Sequence, residues 1–143
     1  MGSSAWAGQN DNYKGAYAID GKISKKYLFH TKTENYPWLE LSMTEDHYVG
    51  VEIVTRSDCC PDRFRNIEVR AGMRAVAGGF KGKKITSNTR VGGYKGPATM
   101  TAQKVIIKFD RRVRASHLTI QRMEKGVTLE IEEVTLIKGK SLP

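Results

Sequence analysis

The sequence has no apolar run longer than a few residues, Val105-Ile106-Ile107 being typical. A membrane-crossing helix needs roughly 20 apolar residues in succession, so no transmembrane span is expected. The amino-terminal Met-Gly-Ser-Ser-Ala has neither a basic segment nor an apolar one behind it. No signal peptide is visible there, and Met1-Gly2 is compatible with a cloning remnant. No long window carries the i, i+3, i+4, i+7 apolar stripe of an amphipathic helix. The aromatics are few (two Trp, six Tyr, four Phe) and do not interleave with basic runs, which argues against nucleic-acid binding. The two cysteines are adjacent, at 59 and 60, and this spacing excludes Cys-x-x-Cys redox and zinc motifs. Internal repeats and low-complexity linkers are also missing. A chain of 143 residues is then expected to form one domain spanning 1–143 around one core.

What the sequence does contain is alternation. Leu39, Leu41 and Met43 share one parity, as do Val49, Val51 and Ile53, then Ile67, Val69 and Ala71. Val105, Ile107 and Phe109 follow, and then Leu118 and Ile120. A period of two is the signal of a strand with one buried face. Between these runs lie turn formers, including Gly78-Gly79, Gly92-Gly93 and Gly96-Pro97. Many short strands separated by turns predict an all-β sandwich or barrel. In the last run the parity slips, from Val127, Leu129 and Ile131 to Val134 and Leu136, at Glu132-Glu133. Either a β-bulge or a strand that twists or changes sheets accounts for the slip.

Lysine and arginine number 24 against 15 acidic residues, for a net charge of +9. Such a field draws anionic partners without selecting among them. The basic residues are scattered or in short groups, such as Lys81-Gly82-Lys83-Lys84 and Arg111-Arg112, and most read as solvated surface.

The chemistry concentrates in Arg56-Ser57-Asp58-Cys59-Cys60-Pro61-Asp62-Arg63. Adjacent Cα atoms lie about 3.8 Å apart, below the roughly 4.4 to 6.8 Å usual in disulfides. A Cys59-Cys60 bond would therefore be strained and would present a rigid sulfur plate; two reduced thiols pointing to opposite faces are the alternative. Arg56 and Arg63 can each aim several N–H donors at vicinal hydroxyls, with Asp58 holding a guanidinium in place. His30 adds a donor or acceptor from another loop. Together these make a plausible monosaccharide site. The plainer reading is a solvent-exposed Arg56-Asp58 pair of little energetic weight and a His30 satisfied in a core or turn.

His30, followed after 25 residues by Arg56-x-Asp58 and, four residues on, Arg63, with two cysteines behind the Asp, resembles the signature of the F-type lectins, or fucolectins. The interval is one residue short of that family's usual one. The likeness extends through Ala18-Ile19-Asp20-Gly21, His30-Thr31, Pro37-Trp38-Leu39, Asn66 to Val69, Leu118 to Ile120 and Leu129 to Leu136, and is weakest over 74–104. The family's other cysteines are absent, and Leu39 stands where a second aromatic is usual.

The resemblance implies an eight-stranded antiparallel β-sandwich of jelly-roll type, related to discoidin domains. By the same resemblance, His30, Arg56 and Arg63 hydrogen-bond L-fucose, Cys59-Cys60 is a vicinal disulfide against the sugar ring, and Asp58 orients the arginines. Tyr27 and Leu28 fall where the family faces the sugar's methyl group with apolar residues. A structural calcium is implied too, with carboxylates from Asp20 and Glu133 and main-chain carbonyls from Tyr17, Lys22 and Glu132.

The expected function is therefore non-enzymatic recognition of fucosylated glycans, in cell or gamete recognition or innate defence. His30 has no nucleophile or acid partner at a recognisable spacing. One such site binds weakly, so oligomers or tandem copies in a longer parent chain are expected. An anionic cell coat is a further expected partner. The oxidised cysteine pair implies a secreted, extracellular setting. The alternative keeps the fold and discards the pocket: a discoidin-like interaction domain that holds a protein, anionic glycan or membrane through its charge, with steep salt dependence.

Overall fold

The structure, a computed structural model, describes residues 28–76 and 80–139. Among these residues the regular structure is β throughout, apart from one 3-10 turn at Pro61–Arg63. There are seven strands: β1 (Phe29–His30), β2 (Trp38–Val54), β3 (Ile67–Gly72), β4 (Thr89–Tyr94), β5 (Lys104–Arg122), β6 (Glu130–Ile131) and β7 (Glu133–Lys138). All pairings are antiparallel, in a two-stranded sheet β1-β6 and a five-stranded sheet in the order β4-β3-β5-β2-β7.

The all-β sandwich class expected from the alternating runs is what the chain forms. Seven is the count among the described residues, with β2 and β5, 17 and 19 residues long, each passing through a bend as one strand. Their mutual register shifts between Ser42 and Asp46 and again between Tyr48 and Gly50. Residues on both sides of the bend, Leu39 and Leu41 before it and Val51 and Ile53 after it, enter one core. Val105 and Ile107 meet Leu118 and Ile120 there in the same way. The bend thus folds the sheet over itself into two layers. It also moves one expected core position. The irregularity at Tyr48/Gly50 turns Tyr48 inward, 2% exposed, and leaves Val49 only half-buried. A one-residue offset exchanges the faces of a strand, and here it substitutes the aromatic for the valine.

The parity slip at Glu132-Glu133 is a change of sheets. β6 pairs with β1, and after Glu132 the chain re-enters the large sheet as β7, beside β2. The segment following β3, of uncertain purpose in the sequence, packs on the outer face of the large sheet. Val76 and Ile85 bury against Trp38, with Phe80 beside them. Two buried polar side chains fasten it. Glu40 accepts the Val76 N–H at 2.5 Å. Gln121 accepts the Ile85 N–H at 2.9 Å and donates to the carbonyls of Tyr36 and Lys83 at 2.9 and 2.8 Å. Glu40 and Gln121 survive burial on that face because each meets backbone groups.

Replacing Gln121 with Ala leaves the Ile85 amide and two carbonyls without this side chain. The expected result is a loss of about 1 to 3 kcal/mol in urea unfolding, with faster hydrogen exchange at Ile85. Unchanged exchange at Ile85 would mean that the apolar cluster alone holds the segment.

Candidate functional site

The site forms where the two ends of β2 and β5 converge with the small sheet. In β1-β6, His30 lies directly opposite Glu130, and the pair is closed by Thr31, whose N–H donates to Leu129 O at 3.0 Å and whose hydroxyl accepts Leu129 N–H at 2.9 Å. The loop after β2 brings in the arginines. It is anchored at one end by buried Thr55 and at the other by buried Phe64, 1% and 3% exposed. Between them Ser57 donates its N–H to the carboxylate of Glu132 at 3.1 Å, and the Pro61–Arg63 turn closes with Arg63 N–H on Cys60 O. Glu130 and Glu132, alternate residues of one extended stretch, thus both turn toward this loop.

Glu130 is the centre of the arrangement, 3% exposed at its side chain. Its Oε1 accepts Arg56 Nη1–H at 3.0 Å, and its Oε2 accepts Arg63 Nη1–H at 3.0 Å and the Thr128 hydroxyl at 2.5 Å. His30 Nε2 stands 3.6 Å from the same Oε2. Arg56 is gripped on its other edge by Asp58, through Nε at 2.5 Å and Nη2 at 3.2 Å. A guanidinium has five N–H donors, and these contacts engage three of Arg56's, so directed hydrogens remain for a ligand. Arg63 is held by one bond and is the more exposed, 46% at its side chain.

Charge states follow from this packing. Burial pushes His30 below its ordinary value of 6.5, against the nearby Glu130 carboxylate. Its Nδ1 lies 2.7 Å from the Thr31 carbonyl, which can only accept, so Nδ1 carries the proton. Burial alone would raise Glu130, but the Thr128 hydroxyl, His30 and the two guanidiniums outweigh it and hold the carboxyl below its ordinary 4.5. Asp58 first, and Glu130 with it, raises Arg56 still further above its already high value against a desolvation penalty.

Cys59 and Cys60 are joined by a disulfide, with Cα atoms 3.7 Å apart. Cys60 sits at φ +65°, a left-handed conformation that non-glycine residues adopt sparingly, and the Pro61 turn begins directly after it. A cavity of about 570 Å³ opens over the cluster, lined by His30, Arg56, Cys59 and Arg63 together with Thr33, Arg122 and the Gly126-Val127-Thr128 turn. The lining therefore combines fixed donors with a sulfur surface.

Of the sequence-predicted residues, the structure brings together His30, Arg56, Asp58, Arg63, Cys59 and Cys60. Leu28 is a correction: it is fully buried and lines no part of the cavity, because the residue leading into β1 packs into the interior. Tyr27 and the calcium candidates Tyr17, Asp20 and Lys22 lie outside the described residues. Glu132 is fully buried with its carboxylate on Ser57, and Glu133 is half-buried at the start of β7. Among the described residues no group of three or more acidic, His or Cys side chains is placed to hold a metal. Sequence reasoning missed Glu130 and Arg122. Arg122 is 4% exposed, donating from Nε to Glu124 at 2.7 Å and from Nη1 to Thr128 O at 2.8 Å.

Both lowered values carry the same sign for stability. Where the unfolded chain binds more protons than the folded one, stability rises with pH. For His30 this window lies below 6.5, and for Glu130 below 4.5, so acidification is destabilising first through the histidine and then through the carboxylate. His30→Gln is expected to flatten the loss between pH 7 and the His30 folded-state value in denaturant unfolding, leaving the steeper loss below 4.5. An unchanged profile would remove His30 as its source.

No protein-family model matches the sequence, and no curated protein matches it. Solved structures do match. A fucolectin from striped bass (Morone saxatilis) serum superposes with a TM-score of 0.79 at 23% identity, over 96% of this chain and 45% of that one. The chain thus spans less than half the length of the striped bass protein. A fucose-binding module from Streptococcus pneumoniae gives 0.68 at 19% identity, over 96% and 89% of the two chains. An F5/8 type C domain from Bacteroides fragilis gives 0.75 at 13%, over 98% and 91%. The chain has the fold shared by F-type lectin and discoidin-like domains.

Proposed function

We propose that this chain is a non-enzymatic carbohydrate-binding domain, a divergent F-type lectin, whose cavity receives a terminal L-fucose of a fucosylated glycan. The observation that carries the proposal is the pair of guanidiniums fixed on one buried carboxylate, with the His30 ring and a vicinal disulfide beside them. Vicinal hydroxyls need convergent donors at set angles. Arg56, locked between Asp58 and Glu130, has its rotamer fixed before any ligand arrives, which lowers the entropic cost of binding. The Cys59 sulfur offers a polarizable surface for the C–H face of a pyranose. That two of the superposing structures are named for fucose or as fucolectins supports this choice of sugar.

The same reading places the domain outside the cell, where a vicinal disulfide persists, and in oligomers or tandem copies, since one open monosaccharide site binds weakly. Calcium belongs to it as a structural ion. Glu132, its side chain committed to Ser57, could give only a main-chain carbonyl, and Glu133 a carboxylate, with Asp20, Tyr17 and Lys22 completing the set. The ion would tie the amino-terminal part of the chain to the junction between β6 and β7, directly after the strand that carries Glu130.

Calorimetric titration with L-fucose, with and without calcium, is expected to show saturable binding that Arg56→Ala abolishes. Glu130→Gln keeps the shape and removes the charge, and is expected to weaken binding about ten-fold or more, equivalent to about 1.4 kcal/mol. No heat up to tens of millimolar sugar would sink the proposal in favour of a charge-driven interaction domain. Alkylation under denaturing, non-reducing conditions is expected to label neither cysteine in protein recovered from an oxidising compartment, and labelling of both would remove the sulfur wall.

A further inference from the structure

The outer rim of the cavity continues into a surface that the monosaccharide reading leaves unused. The cavity-lining turn Gly126 to Thr128 follows Lys125, which is exposed. Glu124, just before it, accepts the Tyr36 N–H through its main-chain carbonyl at 2.8 Å. Tyr36 in turn is bound to the docked segment, because Gln121 donates to the carbonyls of both Tyr36 and Lys83. The Lys84 ammonium lies 5.5 Å from the centroid of the Tyr36 ring. A continuous path of bonded groups therefore runs from the sugar cavity to Lys83 and Lys84, both exposed.

Along this path the acids already hold arginines, and among the described residues no acid pairs with these lysines. Glu124 takes Arg65 and Arg122, and Glu130 takes Arg56 and Arg63. No ion pair among the described residues involves Lys83, Lys84 or Lys125. At the bend of β5 the pattern is different: Arg111 pairs with Asp110, Arg114 with Glu45 and Lys138 with Asp46. The positive charge of Lys83 and Lys84 is also held in place, since the segment bearing them is fastened by Trp38, Ile85 and Gln121 rather than hanging free.

We propose that Lys83, Lys84 and Lys125 form an anion subsite beside the cavity, so that the preferred ligand is a fucosylated glycan carrying an acidic group, a sulfate ester or a uronate, on or next to the terminal sugar. The subsite rests on the sugar-binding reading of the cavity. The pocket fixes the sugar by directed hydrogen bonds, and the lysines add an attraction that falls with salt.

The test compares a sulfated oligo-L-fucose with its desulfated counterpart, and with a sulfated glucan that lacks fucose, at low and high salt. Wild-type protein is expected to bind the sulfated fucose oligomer about ten-fold or more tighter than the neutral one at low salt, with the gap closing at high salt. The K83E/K84E/K125E variant is expected to lose that preference while keeping neutral L-fucose affinity, which also shows that it is folded. R111E/R112E, at the bend of β5, is expected to keep the preference. Retention of the preference in the lysine variant overturns the subsite, as does an equal loss in R111E/R112E, which would indicate net charge. Equal binding of the sulfated glucan overturns the coupling to the pocket. If neutral fucose fails to bind while sulfated-fucose binding still tracks the three lysines, the cavity reading fails and the anion subsite stands.

Discussion

A single buried carboxylate organises this molecule's candidate site. Glu130 stands opposite His30 in the two-stranded sheet and accepts hydrogen bonds from Arg56, Arg63 and Thr128. Three of its partners come from distant parts of the chain, so it converts chain topology into local geometry. Burying a carboxylate is costly unless it is paired and hydrogen-bonded, and Glu130 meets both conditions through the same guanidiniums that face the cavity. The requirement is mutual. Arg56 and Arg63 would be uncompensated like charges without the carboxylate that both bond, and their guanidiniums, with the Thr128 hydroxyl and His30, hold Glu130 below its ordinary value.

The fold prepares that position through the sheet change at Glu132. Leu129 and Ile131 point into the core, Glu130 and Glu132 toward the 56–63 loop, and the chain then shifts parity to continue as β7 with Val134 in the core. One short extended stretch thereby holds the loop at two places, by its backbone at Ser57 and by its side chains at Arg56 and Arg63. The disulfide and the left-handed Cys60 shape the loop's outer bend, and Phe64 plugs its far end into the core.

The residues that sequence reasoning found are those whose identity carries the signal. Alternation located the core strands, and β3 buries Ile67, Val69 and Ala71 as its pattern requires. His30, Arg56, Asp58, Arg63 and the cysteines were legible because their spacing is unusual. Glu130 was not, since a lone acid alternating with Leu129 and Ile131 has the pattern of any solvent-facing strand position. Nothing local distinguishes a glutamate over water from one under two arginines. Tyr48 replaced Val49 in the core for a related reason: a bulge leaves no mark in composition. Val76 and Ile85 are isolated apolar residues in a turn-rich stretch, and their burial depends on Trp38, far away in the chain.

Net charge by itself would suggest a uniformly basic, unselective surface, but the pairing pattern divides that charge into two kinds. Arg56, Arg63 and Arg122 are compensated by Glu130, Asp58 and Glu124, which makes the cavity a place of directed donors with little net field. A neutral sugar suits such a place, because donors whose charge is balanced from behind need no anion to complete them. Uncompensated charge lies outside the cavity lining, Lys83, Lys84 and Lys125 among the exposed lysines that carry it, where an anion can be attracted with little desolvation. Directed recognition and long-range attraction are thus separated in space. A ligand with a neutral ring and an acidic substituent could use both without forcing a charge into the pocket.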